Sequence, residues 1–332
     1  MKIIAIEEHV NYKKLSEALR EPLSKTAPYL GKASPEGLAY HVQPEAQDGI
    51  SEKRISDMDA GGIAMQVLSY AASPQLLPPS QAIPLTMDAN DHLAEEIHKY
   101  PDRFSGFATL PWSDPEAAAN ELERAVKKLN LKGALLSGRP SPDSIFLDAL
   151  QYRPVLEKAS ELNVPIYIHP GFPVDSVREA YYSGLTEIVS DRLSLFGWGW
   201  HAEAGIQIMR MILSGVFDRI PNLQLIAGHW GEMIPFFLSR LDEALPPKAT
   251  SLQYEISEYF KNHVYVTPSG MFDMPHFKFI IEVMGADRII YSVDSPYISS
   301  NKAASFLESA PASDIDKEKI SHLNAERLLN LK

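Results

Sequence analysis

Lys2-Ile3-Ile4-Ala5-Ile6-Glu7-Glu8-His9 opens the chain with an apolar run that ends in two carboxylates and an imidazole. It reads as a buried strand with chemistry at its carboxyl end. Side chains alternate faces along a strand, so Glu7 and His9 point one way and Glu8 the other, and the first two can bind one ion. Two later runs end alike: Val164-Pro165-Ile166-Tyr167-Ile168 precedes His169, and Arg288-Ile289-Ile290-Tyr291-Ser292-Val293 precedes Asp294.

Outward from these three, short runs rich in Ile, Val and Leu recur at 3–7, 63–69, 104–109, 132–137, 164–168, 223–227, 264–267 and 288–293. Several are nearly continuous in apolar residues, as expected of parallel strands covered by helices on both faces. Helical patterns lie between them, over 88–99, 115–129, 146–162, 202–217 and 232–244. Eight strands alternating with helices predict an α/β fold, a TIM-like (β/α)8 barrel. A doubly wound sheet would want a glycine-rich phosphate turn after the first strand, where this chain has Glu7-Glu8-His9.

Residues 10–55 carry scattered prolines and read as an irregular insertion after the first strand, expected to form a lid. Ser73-Pro74-Gln75-Leu76-Leu77-Pro78-Pro79 reads as a second long loop on the rim where barrels keep their active sites. With no internal repeat and no low-complexity linker, residues 1–332 are expected to form one domain.

The composition narrows the chemistry. A chain of 332 residues, 45% of them hydrophobic, can bury a large core. A formal net charge of -12 and the lack of a basic run argue against nucleic acid as a partner. The absence of cysteine excludes disulfides, thiolate ligands and thiol nucleophiles, so any metal must be held by His and carboxylates. No leader pattern precedes the first strand, and no apolar stretch nears the ~18 residues of a membrane span. A soluble, cytoplasmic protein with no membrane partner is the expectation.

In a barrel, strand ends 1, 5 and 8 converge, which would bring Glu7, His9, His169 and Asp294 together. One His or Asp at a strand end is more often a hydrogen-bonded surface residue; four in one register are a candidate site. Two imidazoles and two carboxylates suit one divalent metal, Zn or Mn, with positions open for water or substrate. His229, after the run 223–227, could be a ligand, a proton donor or a partner oriented by Glu232. His201 and Glu203 begin a helix after the aromatic cluster Phe196-Gly197-Trp198-Gly199-Trp200, which reads as pocket wall or subunit contact. His41, His92, His98, His263, His276 and His322 read as structural or exposed. Arg54, Arg139 and Arg240 are candidate anion clamps, because a guanidinium grips a carboxylate with two hydrogen bonds. Arg240 lies about 15 Å along a helix from His229 at ~1.5 Å per residue, too far for its own site but placed for a neighbour's.

The ordered motifs then become recognisable almost end to end: Ala5-Ile6-Glu7-Glu8-His9, Arg54 with Asp57-Met58-Asp59-Ala60-Gly61-Gly62-Ile63, Ala89-Asn90-Asp91, Pro101-Asp102-Arg103-Phe104, Tyr152-Arg153-Pro154, Tyr167-Ile168-His169-Pro170, Gly228-His229-Trp230-Gly231-Glu232 and Ser292-Val293-Asp294-Ser295-Pro296. Together they resemble the amidohydrolase superfamily, in the branch of metal-dependent aromatic acid decarboxylases that includes γ-resorcylate and 2,3-dihydroxybenzoate decarboxylases. The resemblance implies non-oxidative decarboxylation of a hydroxybenzoate-like acid, with a metal on Glu7, His9, His169 and Asp294. It implies Asp294 as proton donor, His229 and Glu232 as the supporting acid/base pair, and Arg240 entering an adjacent subunit of a homodimer or homotetramer. Arg54, Ser137, Phe172 and Trp230 are the remaining substrate-binding candidates; Ser137 stands where the resorcylate branch has Asn. Hydrolases of the superfamily usually carry His-x-His after the first strand, so Glu7 favours decarboxylation over the alternative, hydrolysis of a lactone, ester or amide.

Overall fold

The computed structural model describes residues 1–30, 49–143 and 145–331. Seven parallel strands, β1 (Ile4–His9), β2 (Met65–Ser69), β3 (Phe104–Gly106), β4 (Ala134–Ser137), β5 (Ile166–His169), β6 (Leu225–Ala227) and β7 (Val264–Val266), pair in sequence order as β1-β2-β3 and β4-β5-β6-β7. Hydrogen bonds close both seams. The Ala108 N–H donates to Gly133 O at 2.9 Å and Leu135 N–H to Ala108 O at 3.0 Å, joining β3 to β4. The expected eighth run lies between β7 and β1: Ile290 N–H donates to Val266 O at 3.0 Å, Ile6 N–H to Tyr291 O at 3.1 Å and Asp294 N–H to Glu7 O at 2.9 Å. The result is the expected barrel.

Its interior holds Ile4, Ile6, Met65, Val67, Phe107, Leu135, Tyr167, Ile226, Tyr265 and Ile290, while Ala325 and Leu329 join this cluster from the last helix. Ile3, Ala5 and Leu68 face outward into the larger core under the helices. Strands buried on both faces explain their nearly continuous apolar sequence.

β1 departs from strict alternation at one point. Ala5 pairs with Gln66 and Glu8 with Leu68, so Ile6 and Glu7 together oppose Val67, two residues against one. This bulge re-aims the strand end. Strict alternation from Ile4 and Ile6 would turn Glu8 inward; the extra residue turns Glu7 and His9 inward instead and sends Glu8 outward.

Helix boundaries follow local chemistry. Asp114 caps the helix Pro115–Leu129 through a 3.0 Å bond from Ala117 N–H, and Asn130 ends it in the left-handed region. The helix expected over 146–162 starts only at Arg153, because Pro154 is tolerated in a first turn but not in a helix interior. Residues 13–26, within the stretch read as irregular, form the helix Lys13–Thr26, which buries Leu15 and Leu19 on one face despite Pro22. The centre of that insertion, 31–48 with His41, lies outside the described residues. Among the described residues no helix is long and apolar enough to cross a membrane.

Candidate active site

At the carboxyl ends of the strands, one ligand atom each from Glu7, His9, His169 and Asp294 falls within 4.8 Å of the others. The four expected ligands therefore do converge. His9 Nε2 lies 3.2 Å from Asp294 Oδ1 and His169 Nε2 lies 3.8 Å from Glu7 Oε1.

The hydrogen bonds behind these atoms leave the right faces open. His169 Nδ1 sits 2.8 Å from the Pro170 carbonyl, an acceptor, so the proton resides there and Nε2 presents a lone pair. His9 Nδ1 lies 3.2 Å from Ser69 Oγ, and its Nε2 is buried with no hydrogen-bond partner. Glu7 is divided in the same way. Its Oε2 accepts from Tyr167 Oη at 2.5 Å and Thr267 Oγ1 at 3.4 Å, with Ser269 Oγ closer still, whereas the buried Oε1 has no hydrogen-bond partner. A native interior rarely abandons polar atoms. Three orphaned or lone-pair-bearing atoms aimed at one point fit a cation, and the hard oxygen and imidazole donors suit a divalent one. Gly228 keeps the place clear, since a Cβ there would lie 3.1 Å from Glu7 Oε1.

Electrostatics agree with that division. Burial pushes the Glu7 and Glu8 carboxyls above their ordinary values and the His169 imidazole well below its own, disfavouring charge in each. His229 runs the other way. Burial opposes its charge, but Glu232, joined by Glu7 and Asp294, raises the imidazole to about 9. Glu232, which burial alone would raise, is held below its usual value by His229 and His201.

His229, Glu232 and Asp294 line a cavity of about 770 Å³ with His169, Ser137, Phe172, Phe196, Trp200, Met271 and Tyr297. Ser137 and Phe172 thus stand where substrate contacts were expected. His201 lines it too, 2.9 Å from Glu232 Oε2, a placement that no sequence spacing to His229 announces.

Two expected substrate contacts, Arg54 and Trp230, lie elsewhere, and Arg240 stands outside its own cavity as its distance from His229 predicts. Arg54 is buried beneath the rim, where its Nη1 donates to Gln66 Oε1 at 3.0 Å and its Nη2 to the His9 carbonyl, while Gln66 Nε2 donates to Glu8 Oε2 at 3.1 Å. It braces the outward Glu8 and the end of β1. Trp230 packs edge-on to Phe277 and donates its Nε1–H to Met271 O at 2.9 Å, so it belongs to the core, and Phe196 and Trp200 supply the aromatic wall in its stead. Arg240 is exposed and paired with Glu243 at 2.9 Å, outside its own cavity. Arg139 is committed to Glu203, both side chains nearly buried, with Phe146 under the guanidinium at 4.2 Å. His92, stacked on Tyr12, and His263, stacked on Phe217, are structural as read.

The amidohydrolase family model matches residues 40–331. A γ-resorcylate decarboxylase of Polaromonas sp. is 36% identical over 292 residues, 85% of this chain and 88% of that protein. A crystal structure from Staphylococcus aureus described only as an amidohydrolase superposes with a TM-score of 0.86 at 41% identity, covering 100% of both chains. A dihydroxybenzoic acid decarboxylase of Polaromonas sp., crystallised with manganese and the inhibitor 2-nitroresorcinol, gives a TM-score of 0.85 at 32% identity over 99% of this chain and 97% of that one. The chain belongs to the amidohydrolase family, on the branch of its aromatic acid decarboxylases.

Proposed function

We propose that this protein catalyses the metal-dependent, non-oxidative decarboxylation of a hydroxybenzoate-like aromatic acid. The observation that carries the reading is Glu7: a carboxylate at the first ligand position, with one oxygen saturated by hydroxyl donors and the other free. Glu7, His9, His169 and Asp294 would hold one divalent ion, manganese or zinc, whose charge would anchor an anionic substrate and stabilise electron density drawn from the ring.

The remaining chemistry falls to side chains of the cavity. Phe172, Phe196 and Trp200 wall the ring, and Ser137 contacts its substituents. Asp294 delivers a proton to the carbon bearing the carboxylate. A C–H bond forms there, the C–C bond to the carboxylate breaks, and its electron pair restores aromaticity as carbon dioxide leaves. The Nδ1–H of His229 donates to Glu232 Oε1 at 2.9 Å, and its Nε2 serves the cavity side in returning a proton to the site.

Leu23 and Leu30, from the described part of the insertion, line the chamber, which supports a lid there, and the chain is assigned to one domain. Arg240 stands on the helix Ile234–Ala244 beside the exposed Phe236 and Phe237, which supports a homodimer or homotetramer in which it enters a neighbour's cavity. The cysteine-free chain is assigned to the cytoplasm.

The test is direct. Metal-loaded protein is incubated with a panel of hydroxybenzoates and, separately, with lactones, esters and amides. Release of carbon dioxide and the matching phenol is expected; turnover of the second panel alone would sink the reading.

A further inference from the structure

The turn that carries the acid/base pair is wound against its preference. Residues 229 to 233 all have positive φ, at 46°, 59°, 88°, 52° and 67°, a conformation that only Gly231 among them adopts freely. From one side the β7 segment holds it: Trp230 N–H donates to Thr267 O at 2.7 Å, and His229 N–H to Ser269 Oγ at 2.8 Å. On the other side stands the helix Gly199–Leu213. Gly205 allows that helix to close in, since a Cβ there would sit 2.8 Å from the Glu232 carbonyl oxygen. The approach brings His201, in the first turn of the helix, onto the side chain of Glu232.

Glu232 is fully buried, and each of its oxygens faces a different imidazole: Oε1 meets His229 Nδ1 and Oε2 meets His201 Nδ1, both at 2.9 Å. The two rings lie 4.4 Å apart, edge to face. The far nitrogen of His201 fixes where its proton resides. Nε2 is 3.2 Å from the Trp200 indole N–H, which can only donate, and 3.0 Å from the Phe196 carbonyl, which can only accept. If Nε2 accepts from Trp200, the ring's one proton sits on Nδ1. If Nε2 donates to Phe196, a bare Nδ1 would oppose a carboxylate, so Nδ1 is protonated there too. In both arrangements Nδ1–H points at Glu232.

We propose that His201 is a positioning residue for the acid/base pair: by holding Oε2 of Glu232, it presents Oε1 to His229 and keeps the left-handed turn wound. The kinetic consequence rests on the decarboxylase reading; the geometric one does not. Asparagine and glutamine separate the two ends of the ring. His201→Asn can place an amide N–H where Nδ1 stood, whereas His201→Gln reaches one carbon further, toward Trp200 and Phe196.

His201→Gln is expected to lower kcat about tenfold with KM and bound metal unchanged, and His201→Asn to keep kcat near wild type. In metal-free protein carrying 15N-labelled histidine, the downfield Nδ1–H proton of His229 should persist in wild type and in His201→Asn, and move upfield or broaden in His201→Gln. Equal loss of kcat in both variants would overturn the proposal, as would wild-type kcat with an unmoved His229 signal in His201→Gln. Should His201→Gln fail to fold, collapse of kcat in His201→Asn overturns it alone. If wild type turns over no hydroxybenzoate, the functional reading falls, and the histidine spectra by themselves decide the role of His201.

Discussion

Ile6 and Glu7, adjacent in sequence, both face the barrel interior: Ile6 belongs to the apolar cluster that fills it, with Val67, Leu135 and Ile290, and Glu7 meets the hydroxyl of Tyr167. The bulge that permits this turns Glu8 outward, where its oxygens accept from Val293 N–H at 2.8 Å, Ser295 N–H at 3.2 Å and Gln66. Arg54 supplies the counter-charge to that buried carboxylate. Arg54→Met removes it and leaves Gln66 Oε1 and the His9 carbonyl without their buried donor, a loss of about 2 kcal/mol. Denaturant unfolding should show that loss, with KM for the aromatic acid unaltered. A raised KM would return Arg54 to the role of substrate clamp.

Much of this site was legible because strand ends in a barrel share one rim. Glu7, His9, His169 and Asp294 each follow an apolar run, so the barrel alone brings them together, and the alternation of Glu7, Glu8 and His9 is written in the sequence. The phase of that alternation is not. Nothing in Ile4-Ala5-Ile6-Glu7 marks where one residue is left unpaired, since the bulge depends on the facing strand. Arg54 misled for a related reason: a guanidinium that suits a ligand carboxylate serves equally well as donor to a buried amide and a backbone carbonyl, here those of Gln66 and His9. Trp230 adjoins His229 in sequence, but the left-handed turn rotates it into the core. His201 is distant in sequence and reaches Glu232 only through the packing of its helix.

Tyr167 stands under the site as the donor that commits Glu7 Oε2 and leaves Oε1 for a cation. Tyr167→Phe removes the hydroxyl and keeps the ring. Glu7 then has Ser269 and Thr267 to satisfy Oε2, but its carboxylate is freer to turn. We expect manganese affinity to fall about tenfold in a competition titration with a chelating dye, as for other partners of metal ligands. Unchanged affinity would mean that Ser269 and Thr267 suffice to orient Glu7.

Glu232→Gln tests the charge on the pair rather than its shape. Against the burial that would lower it, His229 is raised to about 9, with Glu232 the foremost of the carboxylates responsible. With a neutral amide in its place, burial meets less opposition and the imidazolium loses its closest partner, so the pKa must fall. A 15N-histidine pH titration of the chelated variant should place His229 below its wild-type midpoint. A kcat about a hundredfold lower is expected at neutral pH, within the range of a lost acid/base group. A His229 midpoint that stays near 9 would assign its charge to Glu7 and Asp294 instead.

Arg240 offers the sharpest test of the assembly, because its own cavity lies out of reach while its exposed side chain shares a helix with Phe236 and Phe237. If it completes a neighbour's site, two inactive variants should rescue each other. Asp294→Asn destroys a subunit's own chemistry but still offers Arg240; Arg240→Ala keeps Asp294 and lacks only the neighbour's guanidinium. In a hybrid dimer the Arg240→Ala subunit receives an intact arginine from its partner and recovers. Random subunit exchange makes half the dimers hybrids with one working site each, so mixing should restore about a quarter of wild-type activity. Carbon dioxide release, measured as the two variants exchange, should rise toward that value with the kinetics of exchange. A mixture that stays at the activity of Arg240→Ala alone would confine Arg240 to its own surface and its bond with Glu243.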